Sequence, residues 1–218
     1  MARRLAVISG TLVLTVAVAA TALAQSKGSK LGYQLGPVAG ANLFTFGGSD
    51  ATGAKTRTAF YVGAALRAPL GGGGVFLEPQ VLYSQEGAKY TDPTIGTLTL
   101  KSAYLEVPIL LGIDFGHGSS VTPHLFAGPA IGVNMSCDLE VTNGSITTSG
   151  ACKDNGLTLK TLDLGVTGGG GITMPIGRST FLIDARYTLG LTDITSGSNL
   201  KNQGFSVGAG LTIPVGSH

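Results

Sequence analysis

Between residues 104 and 115 apolar and mixed positions alternate strictly. Leu105, Val107, Ile109, Leu111, Ile113 and Phe115 fall on one parity, and Tyr104, Glu106, Pro108, Leu110, Gly112 and Asp114 on the other. A period of two puts these sets on opposite faces of an extended strand. One face is then wholly apolar, and the other carries two carboxylates. The pattern recurs where Phe181, Ile183, Ala185, Tyr187, Leu189 and Leu191 oppose Thr180, Leu182, Asp184, Arg186, Thr188 and Gly190. It recurs again where Leu125, Ala127, Pro129, Ile131, Val133 and Met135 oppose His124, Phe126, Gly128, Ala130, Gly132, Asn134 and Ser136. Near the end, Phe205, Val207, Ala209, Leu211 and Ile213 oppose Ser206, Gly208, Gly210 and Thr212.

The period predicts eight strands, near 32 to 46, 58 to 69, 74 to 86, 98 to 115, 120 to 136, 157 to 174, 179 to 192 and 203 to 215. Their connections alternate in length. Gly71-Gly72-Gly73, Gly116-His117-Gly118 and Pro175-Ile176-Gly177-Arg178 are short turns. The links around 47 to 57, 87 to 97, 137 to 156 and 193 to 202 are longer and polar. Short links at one end and long links at the other describe an up-and-down meander, the arrangement of outer-membrane barrels.

Composition decides where the apolar faces go. Only 12% of residues are charged while 43% are hydrophobic, and 35 are glycine; a soluble surface normally carries about a quarter charged residues. A soluble calyx would place its charges outside and its grease within. Here the apolar face has almost no charge, so it is assigned to lipid. Closure follows, because an open sheet edge in hydrocarbon leaves backbone groups unpaired at several kcal/mol each. The fold expected is all-β: an eight-stranded antiparallel up-and-down transmembrane β-barrel. A ring of that size is filled by its own side chains, which argues against a wide pore.

Residues 1–24 read as a cleavable signal peptide: Arg3 and Arg4, an uncharged run from Leu5 to Ala20, then Ala22-Leu23-Ala24 before Gln25. Residues 25–218 form the barrel domain. Removing the leader takes two of the 14 basic residues and none of the 12 acidic ones. The near-zero charge that remains gives no reason to expect nucleic acid as a partner. The two cysteines, Cys137 and Cys152, lie in the exported part, where a disulfide persists. Closing that loop is worth about 3 kcal/mol in the chain-entropy model.

Two rings of outward aromatics are expected at the membrane interfaces: Tyr33, Phe115 and Phe181 on the periplasmic side, and Phe60, Tyr83 and Phe205 on the external side. Inside, parity gathers Arg67, Glu78, Glu106, Asp163, Asp184 and Arg186 into an interior charge network. Buried charges must pair or neutralise. Arg67 is expected to pair with Glu78, and Arg186 with Glu106, Asp163 or Asp184.

Three short motifs add a family likeness. Tyr104-Leu105-Glu106-Val107-Pro108-Ile109-Leu110-Leu111 resembles the "YLEIPLLL" strand of the PorT-like outer-membrane β-barrel family. Pro123-His124-Leu125-Phe126-Ala127-Gly128-Pro129 resembles that family's "GP" strand, and Asp184 through Asp193 its "RY-x-x-GL" strand. The resemblance implies a small outer-membrane barrel in a family with some members associated with protein secretion. The chain departs from many barrels in ending Ile213-Pro214-Val215-Gly216-Ser217-His218, without a terminal aromatic.

The function expected is a non-enzymatic outer-membrane barrel with a packed polar interior, acting structurally or through its external loops. The loop at 137 to 156, tied by its cysteines, is the best candidate contact surface, with an inert solvated loop as the alternative. Partners are outer-membrane lipid, the barrel-assembly machinery during insertion, and a protein at the external loops. No cofactor, metal site or catalytic residue is assigned. Gly168-Gly169-Gly170-Gly171 lacks the Lys and helix of a phosphate loop and reads as a close-packing site. A lipid-modifying enzyme is the alternative, but His117 beside Ser119 sits in a short periplasmic turn, His124 faces inward and His218 is terminal. A narrow conduit is the other alternative, opposed by the inward Phe76, Leu82, Leu110, Phe126 and Leu182.

Overall fold

The computed structural model describes residues 32–94, 96–116 and 120–215. The signal peptide expected at 1–24, His117, Ser119 and His218 lie outside the described residues. In chain order the strands are β1 (Tyr33–Gly47), β2 (Lys55–Pro69), β3 (Val75–Asp92), β4 (Gly96–Asp114), β5 (Thr122–Asn143), β6 (Ile146–Ala151), β7 (Leu162–Ile176), β8 (Ser179–Gly190) and β9 (Lys201–Val215). Every pairing is antiparallel. The order β4-β3-β2-β1-β9-β8-β7-β5 closes through the β4–β5 pairing. Closure satisfies the ladder hydrogen bonds without an edge in lipid. Among the described residues no helix is long and apolar enough to cross a membrane.

Parity is realised as a through-wall inversion. Leu111, Leu125, Phe205, Val207 and Ile213 are each more than half exposed on the outer wall, while Phe76, Leu110, Phe126, Leu82 and Leu182 are buried inside. Phe60 and Tyr83 pack as an outer-wall aromatic pair with ring centroids 6.1 Å apart, and Tyr187 and Phe205 as another at 4.7 Å. At the short-turn end Phe115 is exposed, whereas Tyr33 and Phe181 are half-buried. The tightest turn there joins Ile176 to Ser179. Gly177 supplies its left-handed residue, at φ 63°.

Two of the four long external links differ from expectation. Residues 87 to 97 continue β3 and β4 as a hairpin, paired out to Asp92 and Gly96. Residues 137 to 156 also form mainly strand: β5 runs on to Asn143, and β6 returns alongside it. Polar alternation on a solvated hairpin carries no hydrophobic period, so composition alone reads as loop. The wall therefore has eight strands, and the ninth, β6, stands above it. Conversely, 157–161 is not strand; β7 begins at Leu162, and Leu159 makes only an isolated bridge to Thr195.

A register shift in the β4–β5 ladder sets where the membrane wall ends. Tyr104 pairs with Asn134, but Ala103 pairs with Ser136, which leaves Met135 as an extra residue. One extra residue exchanges the faces of everything beyond it. Ser136, expected inward, is therefore exposed, while Cys137 and Leu139 turn toward the axis. Beyond this bulge the outer wall carries Lys101 and Glu140, paired at 2.6 Å, in place of aliphatic side chains.

The inward residues beyond the bulge form a second apolar core. Phe46, Ala88, Leu100 and Ile194 are buried, with Tyr90, Cys137, Leu139, Leu157, Leu159 and Leu200 packed against them. All four external links contribute. Burying a side chain the size of Phe46 or Leu100 contributes about 1.5–3 kcal/mol each. The Cys137–Cys152 disulfide joins β5 to the short 3-10 turn Cys152–Asn155 at the rim of this cap, with Cα atoms 5.4 Å apart. Burial also pushes the Tyr90 hydroxyl up from its ordinary pKa.

Candidate functional site

The lumen is a column of polar side chains rather than a channel. At the short-turn end a cavity of about 250 Å³ opens between Gln34, Arg67, Phe76, Asp114 and the glycines of the β2–β3 turn. Its inner wall is Arg67, whose guanidinium carbon lies 3.4 Å from the centre of the Phe76 ring. Arg67 Nη1 donates to Glu78 Oε2 at 3.3 Å, and Nη2 donates to Asp114 Oδ1. Gln80 Nε2 donates to the other Glu78 oxygen at 2.7 Å, and Arg186 Nη1 donates to Gln80 Oε1 at 2.8 Å. A weaker bond of 3.4 Å runs from Arg186 Nη2 to the Tyr61 hydroxyl. One connected chain thus links Asp114, Arg67, Glu78, Gln80, Arg186 and Tyr61. Inside a packed, water-poor ring each member meets a neighbour, while Arg186 Nε is buried without a partner.

Beside this chain His124 Nε2 lies 2.8 Å from Asp184 Oδ1. The imidazole sits between the rings of Phe76 and Phe126, at 6.0 and 5.8 Å. Higher in the lumen Ser206 donates to Asn42 Oδ1 at 2.7 Å, and Asn42 Nδ2 donates to Ser84 at 2.9 Å. Near the cap Asn202 Nδ2 donates to Asp163 at 2.7 Å and to the Tyr104 hydroxyl at 3.1 Å, while Thr192 donates to Asp163 at 2.8 Å. Glu86, Glu106 and Asp163 line a void of about 20 Å³ beneath the cap. That is room for about one water molecule.

The six charged residues expected inside all face the lumen, and Arg67 meets Glu78. The expected pairing of Arg186 with an acid is corrected. Its guanidinium bonds to the neutral acceptors Gln80 and Tyr61. Asp184 is taken by His124, and Asp163 by Asn202 and Thr192. Glu106 shares a void of about 10 Å³ with Arg186 and attracts it through space, without an ion pair between them. Parity reports which face a side chain occupies and nothing of its height in the barrel, and the ladder register separates these residues by height. Two acids of the column, Glu86 and Asp114, were missed as network members. Glu86 continues the even-numbered inward set Phe76, Glu78, Gln80, Leu82 and Ser84, so the signal was present in that strand.

Glycine makes room for the histidine–aspartate pair. A Cβ on Gly171 would stand 2.3 Å from Asp184 Oδ1 and 2.1 Å from the Ile183 carbonyl. Gly171→Ala is therefore expected to displace Asp184 from His124 and lower the urea midpoint of the refolded barrel by an amount equivalent to about 1–3 kcal/mol. Gly168→Ala meets nothing closer than 3.7 Å and serves as the tolerated comparison. Equal midpoints for the two variants would remove this close-packing role.

On sequence, the family described as "Outer membrane protein beta-barrel domain" matches residues 23–196. No curated protein matches the chain. Among solved structures, the outer membrane protein OprG from Pseudomonas aeruginosa is similar at 15% identity and a TM-score of 0.53, covering 86% of this chain and 99% of that one. Neisserial surface protein A, NspA, is similar at 15% identity and 0.48, covering 84% and 96%. Ail, the attachment invasion locus protein of Yersinia pestis, crystallised with the heparin analogue sucrose octasulfate, is similar at 13% and 0.41, covering 84% and 99%. At 15% identity the likeness to OprG speaks to fold alone. The sealed ring, greasy outside and ionic within, and the sequence match agree: this is a bacterial outer-membrane protein, and the chain belongs to the outer membrane protein beta-barrel domain family.

Proposed function

We propose that this barrel is a non-enzymatic surface protein that meets another protein through the sheet formed by the outer parts of β3, β4 and β5 with β6. The observation that carries the reading is β6. It pairs with β5 alone, lies at the end of the strand order, and has its first four residues, Ile146 through Ser149, exposed. Val141 and Ile146 are 39% and 72% exposed near the hairpin tip. A strand edge without Lys, Pro or a bulge is open to pairing with an extended segment of another chain. The hairpin's two-residue turn, Gly144-Ser145, and the disulfide hold that edge in place.

The lumen supports a structural role. Its charged side chains bond to lumen neighbours at Arg67, Glu78, Asp184 and Arg186, although His124 Nδ1 and Arg186 Nε stay unpartnered, and an apolar cap lies over the outer mouth. His124 bonds to an aspartate rather than to a hydroxyl nucleophile, which supports a non-catalytic reading. The narrower kinship with PorT-like barrels, and insertion by the barrel-assembly machinery, belong to the same proposal. The strand motifs around Glu106, Pro129 and Arg186 support the kinship.

The test is site-specific photo-crosslinking in the native outer membrane. A reactive residue at Thr147 is expected to give a discrete protein adduct, and one at the lipid-facing Val207 is not. Adducts of lipid size alone at Thr147 would end the reading.

A further inference from the structure

The outer wall just beyond the Phe60–Tyr83 pair carries a cluster of cations that the interior network does not use. Lys55 and Lys89 are register partners on β2 and β3, and both are exposed. Residues directly opposite on antiparallel strands share a face with Cβ atoms about 5 Å apart, and like charges so placed repel. Among the described residues neither lysine forms an ion pair. Arg57, two residues along β2, donates to the Glu86 carbonyl and, at 3.5 Å, to Gln85 Oε1. Gln85 in turn donates to the Tyr83 hydroxyl at 3.4 Å. Arg57 is thus tied, through Gln85, to the lipid-facing aromatic pair. The acids on this wall lie on β5, beyond β4: Glu140 is held by Lys101 and also attracts Arg57 through space, and Asp138 stands opposite Lys101.

Two unpaired ammonium groups on one face call for an anion. The site lies on the side wall, continuous with Tyr83, and not over the mouth, which is closed by the apolar cap. An anion arriving there comes from the membrane surface. Lysine stems can lie along the apolar wall while the ammonium groups reach the headgroup layer. We propose that Lys55 and Lys89, with Arg57 beside them, form a site for the phosphate of an anionic outer-leaflet lipid. The acyl chains of that lipid pass over Phe60, Tyr83 and Val62, all of which are exposed on the same wall.

Native mass spectrometry of the refolded full chain in neutral detergent, titrated with bis-phosphorylated lipid A, tests this. At about 1 kcal/mol per surface cation, Lys55→Gln with Lys89→Gln is expected to weaken binding roughly thirtyfold. Lys55→Arg with Lys89→Arg is expected to retain it. The control, Lys153→Gln with Lys160→Gln, changes two other exposed lysines and is expected to leave binding unchanged. Dephosphorylated lipid A should bind the parent as weakly as the phosphorylated lipid binds the glutamine variant. Equal affinity in parent and glutamine variant, or an equal loss in the control, overturns the proposal. So does inorganic phosphate that displaces the lipid at a concentration similar to the lipid's own, since the site would then belong to a free anion. Because both lysines are exposed, the variants are expected to keep the migration of a folded barrel on unheated gels, so a loss of binding reports the site.

Discussion

Arg67→Leu is expected to lower the unfolding free energy of the refolded barrel by about 3–5 kcal/mol, the cost of removing one partner from a buried charge cluster. Glu78 is 3% exposed and meets Arg67 and Gln80, and Asp114 meets the same guanidinium. Without Arg67 two carboxylates face each other with no cation between them. Urea titration in detergent, followed by gel migration and tryptophan-free far-UV signals, reads the loss. Combining Arg67→Leu with Glu78→Leu and Asp114→Leu should recover most of it, because a matched apolar replacement leaves no orphan charge. A single variant as stable as the parent at neutral pH would show that the cluster contributes nothing to folding.

The second large effect concerns the cap. Replacing Cys137 and Cys152 together by Ser is expected to cost about 3 kcal/mol, the loop-closure contribution of a link across some 15 residues. The cap is an apolar core of its own above the bulge, while the wall below is held by a closed ladder of backbone bonds. The loss should therefore appear as local opening rather than as collapse of the ring. Trypsin reaches Lys153 and Lys160, both exposed in the segment leading from the disulfide into β7. Cleavage there should accelerate severalfold in the double-serine variant or under reductant, with unheated gel migration unchanged. Equal cleavage rates would show that Phe46, Leu100, Ile194 and their neighbours hold the segment without the covalent tie.

How much of this was legible beforehand follows from what side-chain parity can and cannot encode. Alternation in 104–115 and 179–192 identifies strands, and a face of Leu, Ile and Phe beside a face of Glu, Asp and Arg identifies lipid outside and ions inside. The short glycine turns identify the end of the barrel. The same reasoning is blind above the membrane. At 87–97 and 137–156 both strand faces meet water or a small cap, so no apolar period survives to mark β6. The extra residue at Met135 is also silent in the sequence, because a bulge exchanges faces without changing composition.

The closed barrel, its side facing lipid and the set of charges enclosed are all written in the linear chain, because each follows from one-residue alternation and the cost of unpaired backbone in hydrocarbon. Which charges meet is set by the folded ring. Arg67 reaches Glu78 and Asp114, Arg186 reaches Gln80 and Tyr61, and Asp184 reaches His124. Those contacts depend on the stagger between strands around the ring, which sets the height of every inward side chain. That stagger is fixed by the whole set of ladders closing together, and no single strand contains it.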